Sequence, residues 1–291
     1  MKKLLCVLVT LMLLSIAALS LAEEAAAYTE YEIWLQGADY EIPATVCLPA
    51  GDGVYPAVVM LHGTGTYRDD AGNAFLYCAH AMAESGVASI RFDFPGNGES
   101  KADYTQYTFD SAVADALTCA NYMISLDNVS DTQVGVMGWS QGGTDALLCA
   151  GRNPEFFKSV VTWAGAPSML IDGYFSMDDY EEAKQNGYFV MEFDWRENLN
   201  VSLQWAEDVV NTDVLDVFSA YEGPVLAIAG TADTTVDPEW SNKIVAANTN
   251  EASKTYFIEG MDHTFNVFTG DLTNLNKAID ATAAFFADTL K

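Results

Sequence analysis

The order of elements predicts an α/β architecture: a mostly parallel central sheet with helices on both faces, and a small cap inserted late in the chain. Three observations carry this expectation. Short continuous apolar runs bounded by proline or glycine recur along the chain, as strands buried on both faces do. Stretches of helical periodicity fill the intervals between them, the pattern of right-handed crossovers in a parallel sheet. The alternation stops once, from about residue 169 to 221, and then resumes.

In chain order, "YEIWLQGADYEIPATVCLP" alternates apolar and polar residues around a turn at Gly37 to Asp39, which predicts an antiparallel hairpin at a sheet edge. "YPAVVMLHGTG" holds a buried strand from Ala57 to Leu61, and "NAFLYCAHAMAESG" is a helix ending at Gly86. "VASIRFDFPGNG" is a strand, "FDSAVADALTCANYMISL" a helix, "QVGVMGW" a strand, "GGTDALLCAGR" a helix and "FKSVVTWAGAP" a strand. The 169–221 segment is acidic and aromatic, carrying Tyr174, Phe175, Tyr180, Tyr188, Phe189, Phe193, Trp195 and Trp205, with "VSLQWAEDVVN" as its helix. Each of these aromatics is first of all a candidate for the cap's own core, so none is assigned to binding. "GPVLAIAGTAD" resumes the strands, followed by the helix "PEWSNKIVAAN", the strand and loop "KTYFIEGMDH", and the closing amphipathic helix "LNKAIDATAAFFADTL".

The 291 residues, half of them hydrophobic, suit one large domain. Forty-one acidic against 13 basic side chains, a formal charge of −28, repel nucleic-acid phosphates and anionic lipid headgroups, so neither partner is expected. Lys2 and Lys3 precede an uncharged apolar run from Leu4 to Ala22, which predicts an export signal over residues 1–22 and leaves residues 23–291 as the folded domain, the cap inserted within it. Cleavage is expected after Ala22, with Ala25 to Ala27 as a second possibility. A retained anchor at the cell surface is the alternative. The mature chain is then secreted or extracytoplasmic, with no membrane attachment. Its cysteines Cys47, Cys78, Cys119 and Cys149 sit singly in apolar stretches and read as buried thiols. Neither they nor His62, His80 and His263 have metal-ligand spacing, and no cofactor or metal is expected.

Chemistry concentrates in "VGVMGWSQGGTDALLC". Gly138, Trp139, Ser140, Gln141 and Gly142 fit G-x-S-x-G, in which a nucleophile stands on a strained strand-to-helix turn and flanking glycines let strand and helix pass closely. A serine needs a base, and the base needs an acid to hold its tautomer. Downstream, Asp233 lies in the turn after one buried strand and His263 in the loop after the next. Asp237 and Asp262 lie nearby as competing acids. The oxyanion of the tetrahedral intermediate needs two N–H donors: that of Gln141, and one from the loop "LHGTGTYRD", where Thr64 is the expected donor and Gly63 and Gly65 are expected at positive φ. His62 is read as a structural hydrogen-bonder and His80 as an ordinary helix residue.

Together "VVMLHGTG", "RFDFPGNGES", "GVMGWSQGG", "VLAIAGTADTTV" and "GMDHTF" resemble, in order, the motif blocks of the α/β-hydrolase superfamily of serine hydrolases. Within it the chain is most similar to bacterial cinnamoyl and feruloyl esterases and serine aminopeptidase-like carboxylesterases, with Asn97 where those esterases usually carry a histidine. The resemblance implies an exported carboxylic ester hydrolase acting through an acyl-enzyme on a small-molecule aryl (hydroxycinnamoyl) or short-chain acyl ester. A serine peptidase of the same fold and a non-catalytic binding protein on this scaffold are the alternatives. The sequence leaves the oligomeric state open.

Overall fold

The computed structural model describes residues 27–168 and 175–291. The expected export signal over 1–22, the expected cleavage point after Ala22 and the first residues of the expected cap, Tyr174 among them, lie outside the described residues; of the second expected cleavage stretch only Ala27 is described, its carbonyl accepting from Ala50 N–H. An eight-stranded sheet runs in the order β1-β2-β4-β3-β5-β6-β9-β10. β1 (Tyr28–Gln36) and β2 (Glu41–Pro49) form the expected antiparallel hairpin, and β2 also pairs antiparallel with β4 (Ala88–Phe92). β3 (Tyr55–Leu61), β5 (Val129–Trp139), β6 (Phe157–Trp163), β9 (Val225–Gly230) and β10 (Lys254–Ile258) join β4 in parallel. β5 starts earlier than its apolar run, because Val129 pairs with Tyr55 across an irregularity in register. β6 stops short of the expected Pro167: Ala164 turns the chain with φ +44°.

The crossovers are helical. α1 (Ala74–Glu84) follows β3, α2 (Phe109–Ile124) follows β4 and α3 (Gln141–Arg152) follows β5. α2 begins at a reciprocal cap in which Thr108 Oγ1 accepts from Ser111 N–H and Ser111 Oγ accepts from Thr108 N–H. Between β6 and β9 the chain builds α4 (Met177–Asn186), a two-stranded antiparallel sheet of β7 (Tyr188–Met191) and β8 (Leu199–Ser202), then α5 (Leu203–Asn211) and α6 (Val214–Phe218). α5 starts at Leu203 rather than Val201 because Val201 and Ser202 pair with β7, and Ser202 Oγ caps Trp205 N–H. α7 (Glu239–Ala246) precedes β10, and α8 (Thr273–Thr289) closes the chain.

Two cores follow from the period of two along the strands. Val58, Met60, Met137, Val161 and Trp163 face α1 and α8 on one side. Val59, Val136 and Val160 face α2 and α3 on the other, in a cluster that continues through Phe175, Phe189 and Trp205 of the β6–β9 connection. β3 lies between β4 and β5, so consecutive parallel strands depart to opposite sides of it. Such a switch leaves a crevice beyond the carboxyl ends of the strands, where ligands of open α/β sheets bind.

Candidate active site

β5 ends at Trp139 and α3 begins at Gln141, so the single residue Ser140 reverses the chain, at φ +56° and ψ −117°. A non-glycine residue held there stores roughly 1–3 kcal/mol of strain. The surroundings enforce it: Ser140 N–H donates to Trp163 O (2.8 Å), and Ser140 O accepts from the N–H groups of Gly143 (2.9 Å) and Ala166 (3.3 Å). A Cβ at Gly138 would stand 1.8 Å from Gly142 O, and one at Gly142 would stand 2.0 Å from Leu61 O. Glycine is therefore the residue both positions accept, which is the physical content of the motif.

The structure brings Ser140, His263 and Asp233 together although they lie on three different strand ends. His263 Nε2 is 3.1 Å from Ser140 Oγ, and His263 Nδ1 is 2.8 Å from Asp233 Oδ2. A proton on Nδ1 satisfies the aspartate and leaves Nε2 to accept from the serine hydroxyl. Asp233 is fully enclosed at its side chain, and its Oδ1 accepts N–H bonds from Thr235 (2.8 Å) and Val236 (2.9 Å). The two competing acids are engaged elsewhere: Asp237 caps Glu239 N–H, and Asp262 accepts from Thr264 Oγ1 and Asn266 N–H. The loop bearing His263 is seated by Trp139 Nε1, which donates to His263 O (3.1 Å), and by Phe265, whose ring packs 4.7 Å from that of Trp139.

Thr64 lies in the loop after β3 and lines the same cleft as Ser140. Its hydroxyl donates to Gln141 Oε1 (2.8 Å), so the two residues expected as oxyanion donors are tied through their side chains. Gln141 opens α3, where the first N–H groups of a helix have no intrahelical acceptor. The neighbouring Gly63 N–H is committed to Asp70 Oδ2 (2.9 Å). Gly65 has the expected positive φ, +71°, whereas Gly63 does not; the turn is made at Gly65 alone, and Asp70 shapes the rest of the loop. Phe94 N–H donates to His62 Nε2 (3.2 Å), so His62 carries its proton on Nδ1 and donates to Gly63 O (2.7 Å). Complete burial pushes this imidazole below its ordinary pKa, in keeping with a neutral structural role.

His80 sits in α1 and stacks on Tyr28, with ring centroids 4.2 Å apart. The four described cysteines are free thiols and buried. Glu30, Cys47 and His80 hold ligand atoms within 4.8 Å of one another. They suit a cation poorly, because the Arg91 guanidinium already lies 2.9 Å from Glu30 and burial pushes the Cys47 thiol up to about 12.

The roof of the cleft, whose volume is ≈ 1630 Å³, is the β7–β8 hairpin, which the sequence reading missed. Alternation in "YFVM" and "LNVS" around the polar turn "DWREN" was the available signal. Phe175, Phe189 and Trp205 pack on one another with centroids 5.1–6.1 Å apart and are the cap's own core, as expected of them. Trp195, 63% exposed, instead lines the cleft. Arg196 reaches down from the hairpin: Nη1 donates to Gly65 O (2.5 Å) and Asn97 Oδ1 (2.6 Å), and Nη2 to Gly96 O (3.2 Å).

Similar proteins agree with this architecture. Est1E from Butyrivibrio proteoclasticus, solved with ferulic acid bound, superposes with a TM-score of 0.72 at 20% identity, over 88% of this chain and 98% of that one. A hypothetical protein from Pseudomonas aeruginosa gives 0.74 at 18% identity, over 91% and 95%. The fold is that of the α/β hydrolases. In sequence, 130 residues are 32% identical to 2,6-dihydropseudooxynicotine hydrolase of Paenarthrobacter nicotinovorans, covering 43% of this chain and 32% of that protein. The chain spans about a third of the length of the curated relatives it matches. The family model described as the prolyl oligopeptidase family (Peptidase S9) matches residues 74–291, and the chain belongs to that family.

Proposed function

We propose that this protein is an exported serine hydrolase that cleaves carboxylic esters through an acyl-enzyme. The observation that carries the reading is the relay from Asp233 through His263 to Ser140, at 2.8 and 3.1 Å. In this reading Ser140 Oγ attacks the ester carbonyl while His263 Nε2 takes its proton, and Asp233 holds the imidazole and stabilises the imidazolium. The N–H groups of Thr64 and Gln141 receive the oxyanion, each contributing about 3 kcal/mol in comparable sites. His263 then protonates the departing alkoxide, and water, deprotonated by the same imidazole, releases the acid from Ser140.

The aromatic lining of the cleft supports an aryl or short acyl ester as substrate, and the ferulic acid complex of the structurally similar Est1E is consistent with that. Lys2, Lys3 and the apolar run after them support export. Membership of the prolyl oligopeptidase family favours a second reading, amide cleavage by the same residues. Assaying 4-nitrophenyl esters beside aminoacyl and prolyl 4-nitroanilides separates the two.

Ser140→Ala is expected to lower ester turnover by roughly 10⁴-fold or more and to abolish labelling by a fluorophosphonate probe, with an unchanged melting temperature. Retained turnover in that variant overturns the reading.

A further inference from the structure

With 41 carboxylates against 13 cationic side chains, a guanidinium in this chain readily finds a counter-charge. Arg68 binds Glu32, Asp93 and Glu99; Arg91 binds Glu30 and Asp69; Arg152 binds Asp110. Arg196 alone of the four arginines has no carboxylate partner among the described residues. Its acceptors are Gly65 O, Gly96 O, Asn97 Oδ1 and Glu197 O, all neutral. The adjacent Glu197 bonds through its carbonyl, 3.0 Å from Nε, while its exposed carboxylate forms no ion pair and attracts the guanidinium only through space, too weakly to offset burial.

This cation is half-buried in the cleft wall, and burial holds it below its ordinary pKa. Charge drawn out of water without a counter-ion is costly, and neutral dipoles offset only part of that cost. The donor inventory leaves room for a ligand. Of five N–H groups, one on Nε and two on Nη1 are committed, and Nη2 has given one to Gly96 O in a long 3.2 Å bond. One Nη2 N–H remains. Asn97 fits the same logic, since its amide oxygen accepts from Arg196 where an imidazolium would repel it. Four carboxylates of the cap also line the cleft: Asp179, which is half-exposed and bonded to Ser176 N–H and Oγ, and the exposed Glu182, Glu192 and Glu197, which salt screens more than it screens the partly buried guanidinium.

We infer that Arg196 receives a carboxylate of the substrate, so that the preferred ester carries a second, ionised acid group in its acyl or alcohol portion. The inference rests on the ester-hydrolase reading of the same cleft. The guanidinium is bonded to Gly65 O, one residue from Thr64, so a carboxylate held there lies beside the loop that would receive the oxyanion. The planar guanidinium suits carboxylate recognition in a way that an ammonium does not.

The test pairs 4-nitrophenyl hydrogen adipate, which is anionic, with the neutral 4-nitrophenyl hexanoate of equal chain length. The wild type is expected to prefer the adipate in kcat/KM by about 10-fold or more, the size of one charge-assisted hydrogen bond. Arg196→Gln should collapse that ratio towards one, and Arg196→Lys should restore part of it. No preference in the wild type, or a preference that survives Arg196→Gln, overturns the inference. A second measurement needs neither turnover nor a change at Arg196: calorimetric titration of the Ser140→Ala protein with monomethyl adipate and with dimethyl adipate. Tighter binding of the anion, weakening as salt rises, supports the inference; equal binding of the two overturns it. Anion binding without hydrolysis of any ester would sink the ester-hydrolase reading and leave the role of Arg196 standing, whereas hydrolysis without anion preference does the reverse.

Discussion

The floor and the roof of the cleft are held by opposite means. At the floor, main chain packs on main chain: Gly142 passes against Leu61 O and Gly138 against Gly142 O, with no space for a methyl group at either contact. Ser140 is fixed there by four backbone hydrogen bonds, one from its N–H to Trp163 O and three to its carbonyl from Gly143, Thr144 and Ala166. The roof is a pair of four-residue strands whose grip on the body includes one long side chain, Arg196, bonded to two loops. A floor that rigid keeps the reacting atoms in register whatever passes above it, and a roof attached through side chains can change with little effect on the floor. Under the proposed ester-hydrolase reading, the floor would carry the reaction and the roof would choose the substrate.

The strongest way to break the comparison is to put a methyl group into the floor. Gly142→Ala places Cβ 2.0 Å from Leu61 O, a backbone atom that can move only with β3. A destabilisation of about 4 kcal/mol or more is expected, which in a domain of this size lowers the melting temperature by roughly 10 °C. Calorimetric unfolding measures it. An unchanged melting temperature would mean that the floor has slack, and the contrast with the roof would fail.

A second, smaller effect sharpens the picture from beneath the floor. Asp145 lies in α3 with Oδ2 accepting from Tyr107 Oη (2.7 Å), while Oδ1 has no hydrogen-bond partner among the described residues. Burial pushes its carboxyl up to about 7 from an ordinary 3.8. Because the folded pKa lies above the unfolded one, the folded state binds more protons between those values, and stability falls as pH rises from about 4 to about 7. Asp145→Asn removes this contribution: its melting temperature should match the parent near pH 4 and exceed it at pH 8. Asp115, also raised to about 7 by burial, contributes a slope of the same sign that the variant keeps. Parallel curves for parent and variant across that range would show that Asp145 does not titrate there.

The same contrast explains what was legible in the sequence. The floor could be read because its geometry accepts few residue types: glycine where strand and helix touch, a small residue at the strained turn, and an aspartate and a histidine just past two later strands. Asp233 could be chosen from its place in the turn just past a buried strand, and three dimensions set aside its neighbours Asp237 and Asp262, whose carboxylates cap their own loops. The roof was illegible for a different reason. β7 and β8 are too short for their alternation to stand out from an aromatic-rich stretch, and they are stabilised by Phe175, Phe189 and Trp205 rather than by local propensity. Arg196 could not be singled out because its partners Gly65 and Asn97 lie 131 and 99 positions away in the chain. Gly63 was misjudged because Asp70, not a positive φ, shapes that part of its loop.

The smallest expected effect is at the exposed edge of the roof. Trp195 is 63% exposed, packs edge-on against Phe193 at 5.3 Å, and approaches Gly65 across the cleft. Its removal takes little buried area from the cap, so Trp195→Ala should shift stability by no more than about 0.5 kcal/mol. If the roof selects substrates, the same substitution should raise KM for a bulky hydroxycinnamoyl ester by roughly 3- to 10-fold, the range of a lost aromatic contact, while kcat/KM for an acetyl ester stays within about twofold. Equal losses on both esters would place Trp195 in support of the floor, and the separation between the part that reacts and the part that chooses would have to be redrawn at Gly65, where the two surfaces meet.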